Sequence, residues 1–468
     1  MRHFFLKISK LLIGIIFFSS PLTVANTLPD FANNQDERAL SNPGYILGQY
    51  WFRQLSGSSG LIEFPPAYQY LQDAMSRLVP NTDLYNKTID IGLLNSSQSN
   101  AFVIPGNHLF IYSDIMRIIT DEAAFLGLLA HEIAHLELNH YERTLESQRN
   151  EQNKTLMMLL AGIAAASAGN GEATSALWLG GIANQQENYL RHSRAQEQEA
   201  DRRGRELLLA SGLPVYGMAH LLGALQRQSL GSNRIEFLST HPLPQTRVSD
   251  TLTADPEDSI VFEPSSNEFQ YFRATLIAYR AAIEGNQYSN FIARHVTNRD
   301  QQHFANALAA LLIHHIKDAE SHINQVNEVT QFTKYLEGLI SLAKNDLSGL
   351  KQTVNERLLL SPNDRTFQYL LSQANQTDQY LRTRDDALGY EKRMTYRNNI
   401  AVARKQNNHE AALYYQGLLD FSRGWELAAL NLINRALRTA EPPLKQEIER
   451  SKQHLERIRE AQKQQDIR

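Results

Sequence analysis

The stretch DEAAFLGLLAHEIAHLE, residues 121–137, joins a helix start to two histidines one helical turn apart. Thr120 and Asp121 can cap the helix, and Glu122 places negative charge in the first turn, where the helix dipole favours it. We predict a long helix from here to about Arg143. Its apolar side chains indicate that the helix is buried; they include Leu128, Leu129, Ile133 and Leu136.

The histidines of this helix have the spacing of a metal site. His131 and His135 lie four positions apart, so their imidazoles project from one face and can bind one ion. Glu132 lies beside that face and can reach a water on the ion as a general base. Because buried imidazoles need a partner to offset their lost hydration, the apolar setting favours a metal ion over a chance match.

The third ligand has to come from another segment. A metzincin would have a histidine six residues after the second histidine, but Tyr141 stands there. The segment SRAQEQEADRRG, residues 193–204, places Glu197 and Asp201 on one helical face, whereas Glu199 points away and is predicted to face solvent. The alternative is that these acids form only a surface charge pattern.

We assign Glu197 to the metal and Asp201 to a supporting position, where it orients a ligand histidine through the other ring nitrogen. Together with His131 and His135, this assignment predicts one zinc ion per chain. Two histidines and one glutamate leave a fourth position open for water, as in catalytic zinc sites. These ligand types favour zinc over other divalent ions.

Three roles are open for His241. Since Pro242 follows it, the histidine can cap a turn or a helix start. It can also bind the substrate or the transition state at the metal site. Alternatively, it occupies the fourth metal position and keeps the site latent, in which case replacing it with alanine raises activity.

The chain as a whole has the composition of a folded protein. It has 468 residues, 42% of them hydrophobic and 21% charged, with a net charge of −4. At roughly 150 residues per domain, this length predicts two or three domains. No long basic run builds the field that binding to a phosphate backbone needs, so we predict no nucleic-acid partner. The chain has no cysteine, which excludes disulfides and thiolate metal ligands.

Residues 1–25 are predicted to be a cleaved signal peptide. Arg2, Lys7 and Lys10 precede or flank the start of an apolar stretch, residues 11–18, and small residues follow up to Ala25. The apolar stretch is well short of the ~20 residues that span a bilayer, which argues against an uncleaved membrane anchor. We therefore expect the mature chain to be exported.

Residues 26–264 are predicted to form an α+β domain with a small sheet. Tyr68–Leu78 has helical spacing, Ile89–Leu94 has strand composition, and Ala101–Tyr112 contains two short strands around the turn Pro105-Gly106-Asn107. Two apolar stretches follow the histidine helix, at residues 156–168 and 176–183. They are predicted to form a packed helical hairpin or else a mobile lid or peripheral membrane contact, since each is too short to span a membrane.

Residues 265–468 are predicted to be wholly helical. Tyr335-x-x-Gly338 and the polar turn after it resemble Tyr414-x-x-Gly417 and the turn that follows, with a helix on each side. Small residues where helices pair, and a break about every thirty residues, resemble tetratricopeptide (TPR) repeats, which stack into a superhelix with a concave binding face. A plain helical bundle is the alternative, because neither the repeat signature nor its period is constant.

Three motifs together resemble a known family. They are His131-Glu132-x-x-His135, Glu197-x-x-Ala200-Asp201, and Ser239-Thr240-His241-Pro242 with Arg247. They are similar to the gluzincin metallopeptidases related to the CAAX prenyl proteases and the HtpX heat-shock protease. The signal peptide and the TPR-like region resemble those members that act on β-barrel assembly in the periplasm. The resemblance implies a mostly α protein, with an N-terminal α+β zinc metallopeptidase domain followed by an all-α TPR-like superhelical domain.

The resemblance also implies a function: a periplasmic zinc metalloendopeptidase that degrades misfolded or stalled outer-membrane β-barrel proteins and assists their assembly machinery. The zinc would polarise the scissile carbonyl and its water, Glu132 would carry the proton to the leaving amine, and Arg247 would stabilise the oxyanion. Residues 100–106 are similar to the family's edge strand, along which a substrate can add as a strand. Two rivals remain: a chaperone or scaffold that holds clients on its repeats beside a latent zinc domain, and a membrane-surface protease that uses residues 156–183.

Overall fold

The structure, a computed structural model, describes residues 42–147, 193–229, 236–243, 247, 264–374, 379–383 and 387–465. The predicted signal peptide and the two apolar stretches at residues 156–168 and 176–183 lie outside these ranges. Within them, no helix has both the length and the apolar run that crossing a membrane requires. The described residues are mainly helical with one small sheet, which confirms the predicted mostly α fold class.

The helices of the N-terminal part are α1 Pro43–Ser56, α2 Pro65–Leu78, α3 Glu122–Glu137, α4 His140–Ser147, α5 Arg194–Ala210, α6 Gly217–Ser229 and α7 Glu236–Thr240, with short 3-10 helices at Val79–Asn81 and Ser113–Arg117. They begin where the sequence supplies caps and prolines. Asn42 accepts a hydrogen bond from the backbone N–H of Tyr45, and α1 starts at the proline between them. Asp121 caps α3 through the backbone N–H of Ala124, as predicted.

The sheet contains β1 Asp90–Leu94, β2 Ala101–Ile104 and β3 His108–Tyr112, in the order β1-β3-β2 among the described residues. β3 runs parallel to β1 and antiparallel to β2, so that His108 faces both Asp90 and Ile104. The predicted turn joins β2 to β3, with Gly106 and Asn107 at φ of 83° and 59°, a region that glycine and asparagine tolerate best. The strand order places β2 at an edge of the sheet that the described residues form, and β2 contacts α3.

The histidine helix is shorter than predicted. α3 ends at Glu137 and a second helix, α4, begins at His140, so the prediction of one helix to about Arg143 is wrong. Asn139 has a φ of 50°, a left-handed conformation that asparagine adopts more readily than most residues and that commonly ends helices. The break changes the direction of the chain and the position of His140 relative to His135.

The helices of the C-terminal part are α8 Asn267–Ala282, α9 Tyr288–His295, α10 Arg299–Leu312, α11 Ile316–Ile323, α12 Gln331–Ala343, α13 Leu347–Leu360, α14 Arg365–Gln373, α15 Gly389–Lys405, α16 His409–Ser422, α17 Glu426–Thr439 and α18 Leu444–Gln464, with a 3-10 helix at Gly285–Gln287. The predicted polar turns follow α12, α15 and α16. Each contains a residue at positive φ: Asn345 at 57°, Asn407 at 55° and Gly424 at 77°. Such a residue ends a helix and redirects the chain.

The predicted close approaches between helices occur at two glycines. A Cβ on Gly338 would lie 2.3 Å from Cδ2 of Leu370, and a Cβ on Gly417 would lie 2.6 Å from Cγ1 of Ile433. In a close-packed interior, neither position accepts a larger residue unless the neighbouring side chain moves. These contacts support the predicted helix-pair unit, and its assignment to TPR repeats stays a prediction.

Among the described residues, the largest apolar core joins the N-terminal part to helices α8–α15 of the C-terminal part. It extends from Ile62 to Met394 and includes Phe64, whose ring lies edge-on to Tyr335 with 5.1 Å between centroids. Burial of apolar surface is the main favourable term in folding. Residues on both sides of the predicted boundary at 264–265 therefore contribute to one core.

Candidate metal centre

Two helices, α3 and α5, bring the predicted ligands together. Ser193 precedes α5 in a capping box with Gln196, and Glu197 follows in the first turn. Two turns later, Gly204 lies against α3: a Cβ there would be 3.2 Å from the backbone nitrogen of His131. This close crossing brings the acidic face of α5 to the histidine face of α3.

The predicted metal ligands form one buried cluster. The Nε2 atoms of His131 and His135 lie 3.1 Å apart. Glu197 places Oε2 3.6 Å from Nε2 of His131 and Oε1 3.4 Å from Nε2 of His135. Together with His241, these side chains are buried and offer ligand atoms that all lie within 4.8 Å of one another.

His241 joins the cluster from the end of α7. Its Nδ1 lies 3.0 Å from Oε1 of Glu197 and 3.4 Å from Nε2 of His131. Its Nε2 lies 3.6 Å from Oε1 of Glu132. Phe237 stacks on the imidazole with 4.4 Å between ring centroids, which restricts the plane of the ring. The structure thus places His241 at the metal centre, where ligation and substrate contact are both geometrically available.

Asp201 and Arg247 support the cluster from behind. Oδ1 of Asp201 lies 3.1 Å from Nδ1 of His131, the position predicted for a residue that orients a ligand histidine. Arg247 donates two hydrogen bonds to the carboxylate of Asp201, at 2.7 and 2.8 Å, and its Nη1 lies 2.6 Å from Oε2 of Glu197. It also donates to the backbone carbonyl of Pro242. The oxyanion role predicted for Arg247 does not fit this geometry, because the buried guanidinium already faces the protein's own carboxylates.

Two residues outside the predicted site extend the cluster outward: His140 contacts His135, and Glu199 contacts His140. On a continuous helix, His140 would not share a face with His135. In the structure, His140 is buried and its Nδ1 lies 2.9 Å from Nδ1 of His135. Glu199, predicted to face solvent, is 38% exposed, yet its Oε2 lies 3.1 Å from Nε2 of His140. Arg143 donates to the same oxygen at 3.2 Å. Asparagine commonly ends helices, but the sequence alone does not show that Asn139 does so, and the sequence therefore does not identify His140.

The cluster concentrates negative charge. Burial disfavours the carboxylate form of Glu197, but the imidazole of His241 and the guanidinium of Arg247 hold the pKa of Glu197 well below its ordinary value. Burial also disfavours a charged His131, but hydrogen bonds to Asp201 and Glu197 outweigh it and raise the pKa of His131 to about 9. Burial raises the pKa of Glu132 above its ordinary value, which is the opposite of the shift at Glu197. The centre therefore attracts positive charge, from a proton or from a metal ion.

The residues present fit a divalent metal ion. Both carboxylate oxygens of Glu132 are buried and accept no hydrogen bond from the described residues. The facing Nε2 atoms of His131 and His135 need a proton or a cation between them, because two nitrogen lone pairs at 3.1 Å repel. Imidazoles and a carboxylate are the ligands that zinc takes in proteins, whereas calcium and magnesium prefer oxygen alone.

The edge strand β2 connects to the centre through α7. The backbone N–H of Phe237 donates to the carbonyl of Ser99, which lies just before β2, at 3.0 Å. Because Phe237 also stacks on His241, the strand and the centre are linked by two successive contacts. The use of this edge for an added substrate strand stays a prediction.

Comparison with known proteins agrees with the motifs. Residues 65–254 match the model of peptidase family M48. We call this matched region the M48 domain. The M48 domain includes the sheet and helices α3, α5 and α7, and therefore every residue of the buried cluster. The predicted resemblance to metallopeptidases with these motifs is thus confirmed.

Curated relatives match about half of the chain. The β-barrel assembly-enhancing protease of Escherichia coli is 30% identical over 251 residues, which are 53% of this chain and 51% of the relative. The protein of the same name from Yersinia pestis is 31% identical over 230 residues, 49% of this chain and 47% of the relative. The mitochondrial metalloendopeptidase OMA1 of Saccharomyces cerevisiae is 27% identical over 177 residues, 36% of this chain and 47% of the relative. The chain spans about half the length of the curated relatives it matches.

Proposed function

We propose that the M48 domain is a zinc-dependent endopeptidase whose single zinc ion is held by His131, His135 and Glu197. The observation that carries the proposal is the buried cluster of these side chains beside the carboxylate of Glu132, which accepts no hydrogen bond from the described residues. The position of the cluster within a peptidase family M48 domain supports the same function.

The chain's own residues divide the work of hydrolysis. When bound, zinc supplies Lewis acidity toward a peptide carbonyl and toward water. Glu132 would take a proton from water and give it to the leaving amine. Asp201 and Arg247 hold His131 in orientation and do not touch the substrate. His241, 3.6 Å from Glu132, is placed to contact the substrate or its developing oxyanion.

The proposed substrates are outer-membrane β-barrel proteins that are misfolded or stalled, and the proposed compartment is the periplasm. The predicted signal peptide at residues 1–25 supports export. The relatives from Escherichia coli and Yersinia pestis are named β-barrel assembly-enhancing proteases, which supports the substrate class and contact with the β-barrel assembly machinery. The helices of the C-terminal part, stacked as TPR-like repeats, would supply the surface for these partners.

Zinc content and proteolysis of the mature chain, residues 26–468, test the proposal. We expect one zinc ion per chain and cleavage of casein or of an unfolded β-barrel protein. Glu132→Gln should retain the zinc and lose the cleavage. Absence of zinc from the purified chain would contradict the assignment of His131, His135 and Glu197.

A second function has one observation in its favour. His241 lies 3.0 Å from Glu197, so it can fill the fourth metal position and keep the domain latent while the helical region acts as a chaperone or scaffold. Zinc bound without cleavage by the wild-type chain would favour this function. His241→Ala separates the two: proteolysis rises if the histidine holds the site latent, and it falls or stays unchanged if the histidine contacts the substrate or only the turn.

A further inference from the structure

The two histidines of the proposed zinc site are supported in different ways. Nδ1 of His131 faces the carboxylate of Asp201, which Arg247 holds from behind. Nδ1 of His135 instead faces a second imidazole, that of His140, at 2.9 Å. A ligand histidine usually donates its other ring N–H to a carboxylate, a carbonyl or water, so the imidazole stands where one of these acceptors is expected.

The ring nitrogens of this second support allow one consistent arrangement of protons. If Nε2 of His135 binds the metal, the proton of the neutral ring is on Nδ1, and that atom donates to Nδ1 of His140. The proton of His140 is then on Nε2, which lies 3.1 Å from Oε2 of Glu199. Each group donates to the next, and the chain of hydrogen bonds ends on a carboxylate.

We infer that His140 is a positioning residue for the metal: it accepts the Nδ1 proton of His135 and so fixes the tautomer and the ring orientation that ligation needs. The inference rests on the proposed zinc site. The ring of His140 is itself held in place, because the side chain is fully buried and Gln196 donates to the backbone carbonyl of His140 at 3.1 Å. The planes of the two imidazoles are 72° apart with 4.9 Å between centroids, so the rings meet at their nitrogen atoms and do not stack.

Glu199 anchors the outer end of this chain of hydrogen bonds. Arg143 donates to the same carboxylate oxygen as His140, and the side chains of Glu199 and Arg143 are 38% and 50% exposed. Exposed ion pairs contribute little to stability. The main effect on the metal therefore comes from the buried contact between His135 and His140, and Glu199 serves to keep the proton of His140 on Nε2.

A purely structural role for His140 predicts a different outcome, and two substitutions separate the two roles. His140→Asn places an amide oxygen near the position of Nδ1, where it can still accept the proton of His135. His140→Leu fills similar space without an acceptor. A structural role makes both variants bind zinc alike, whereas a positioning role separates them.

The zinc affinity of the mature chain, measured by competition with a chromogenic chelator, is the readout. We expect His140→Leu to weaken zinc binding about 10- to 100-fold, the usual effect of losing the partner of a ligand histidine. His140→Asn should stay within about threefold of the wild type, because it keeps the acceptor. The absorption bands of the cobalt-substituted protein should change in the leucine variant. His409→Leu, at an exposed histidine that begins α16, is the matched control and should change neither readout.

Four results would overturn the inference or its basis. Wild-type zinc affinity in His140→Leu would overturn it, and so would an equal loss in both variants at position 140. If the leucine variant does not fold, His140→Met takes its place, because the flexible thioether fills similar space and is only a weak acceptor; zinc affinity equal to wild type would then overturn the inference. A wild-type chain that binds no zinc would instead overturn the proposed function, so the two failures are distinguishable.

Discussion

Two of the regions that bury or partly bury charged side chains have opposite balances of charge. In the metal centre, three buried carboxylates share one guanidinium among the described residues, so negative charge is in excess. In the second region, where the segment before α2 meets α15 and the end of α16, one carboxylate faces three guanidinium groups. Only the first can accept a cation. Burial of charge therefore does not by itself identify a functional site; the sign of the excess and the arrangement of lone pairs do.

The second region, which we call the seam, consists of Glu63, Arg393, Arg397 and Arg423. Oε1 of Glu63 lies 3.3 Å from Nε of Arg393, and Oε2 contacts Arg397 and lies 3.5 Å from Nη2 of Arg423. Burial opposes ionisation of Glu63, but the facing guanidinium groups outweigh it and hold its pKa below the ordinary value. The ion pairs of the seam thus hold the N-terminal part against the C-terminal part. The metal centre, in contrast, presents its charge to a ligand.

Among substitutions of a carboxylate by an amide, we expect the largest effect at Glu132 in the metal centre, where the substitution lowers proteolytic activity. Glu132→Gln should lower the rate of proteolysis about 10²- to 10⁴-fold, the usual contribution of a general base. It should not lower the melting temperature of the zinc-free protein, because burial makes the charged form of Glu132 unfavourable in the fold. Initial cleavage rates and thermal unfolding measure the two effects. Lost stability with retained activity would assign Glu132 a role like that of Glu63.

Removal of Arg247, the guanidinium that faces the carboxylates of the centre, should give the largest change in stability. Arg247→Leu leaves Glu197 and Asp201 without their partner, and breaking a buried ion pair in this way costs about 3–5 kcal/mol. Added zinc should recover part of the loss, because it binds only the folded state. Arg203→Leu is the control. Arg203 lies on the helix that carries Asp201 and forms a partly exposed ion pair with Glu137. Loss of this pair should cost about 1 kcal/mol or less. Urea unfolding with and without zinc measures both, and equal losses would contradict the expectation.

The parts of the centre that could be predicted depend on spacing within a single helix. His131 and His135 are four positions apart on α3, and Glu197 and Asp201 are four apart on α5, so each pair shares a face whatever surrounds it. The strands and the turn at Gly106 were also predicted from local signals, because alternating apolar residues and turn-forming residues act over a few positions. The same local signals gave the polar turns of the helical region.

The parts that could not be predicted depend on one backbone conformation or on distant contacts. On a continuous helix, His140 would point roughly 140° away from His135. Only the left-handed Asn139 brings it back, and a single asparagine does not reveal its own φ in the sequence. The seam joins Glu63 to Arg393 across 330 positions, and no local pattern connects such residues.

The carboxylate of the seam should affect stability, in a way that depends on pH. The pKa of Glu63 is held below its ordinary value of 4.5, so the ionised group stabilises the fold above that pH, and the contribution is lost as pH falls through the lowered pKa. Glu63→Gln should therefore cost about 1–3 kcal/mol at neutral pH. The difference from wild type should shrink at successive pH values below 4.5. Urea unfolding at each pH measures it, and a difference that does not change with pH would contradict the assignment.

The smallest effect is expected for the third guanidinium of the seam. Arg423 shares Oε2 of Glu63 with Arg397, and burial together with the like charge of Arg397 lowers the pKa of Arg423. Arg423→Gln removes both the weak attraction of Arg423 to Glu63 and its repulsion from Arg397. Because the two effects oppose each other, stability should change by less than about 0.5 kcal/mol. Arg397→Gln, which removes a hydrogen-bonded partner of Glu63, should cost about 1–3 kcal/mol. Urea unfolding of the two variants compares them directly. Equal losses would mean that positive charge is not in excess at the seam, and the contrast with the metal centre would then fail.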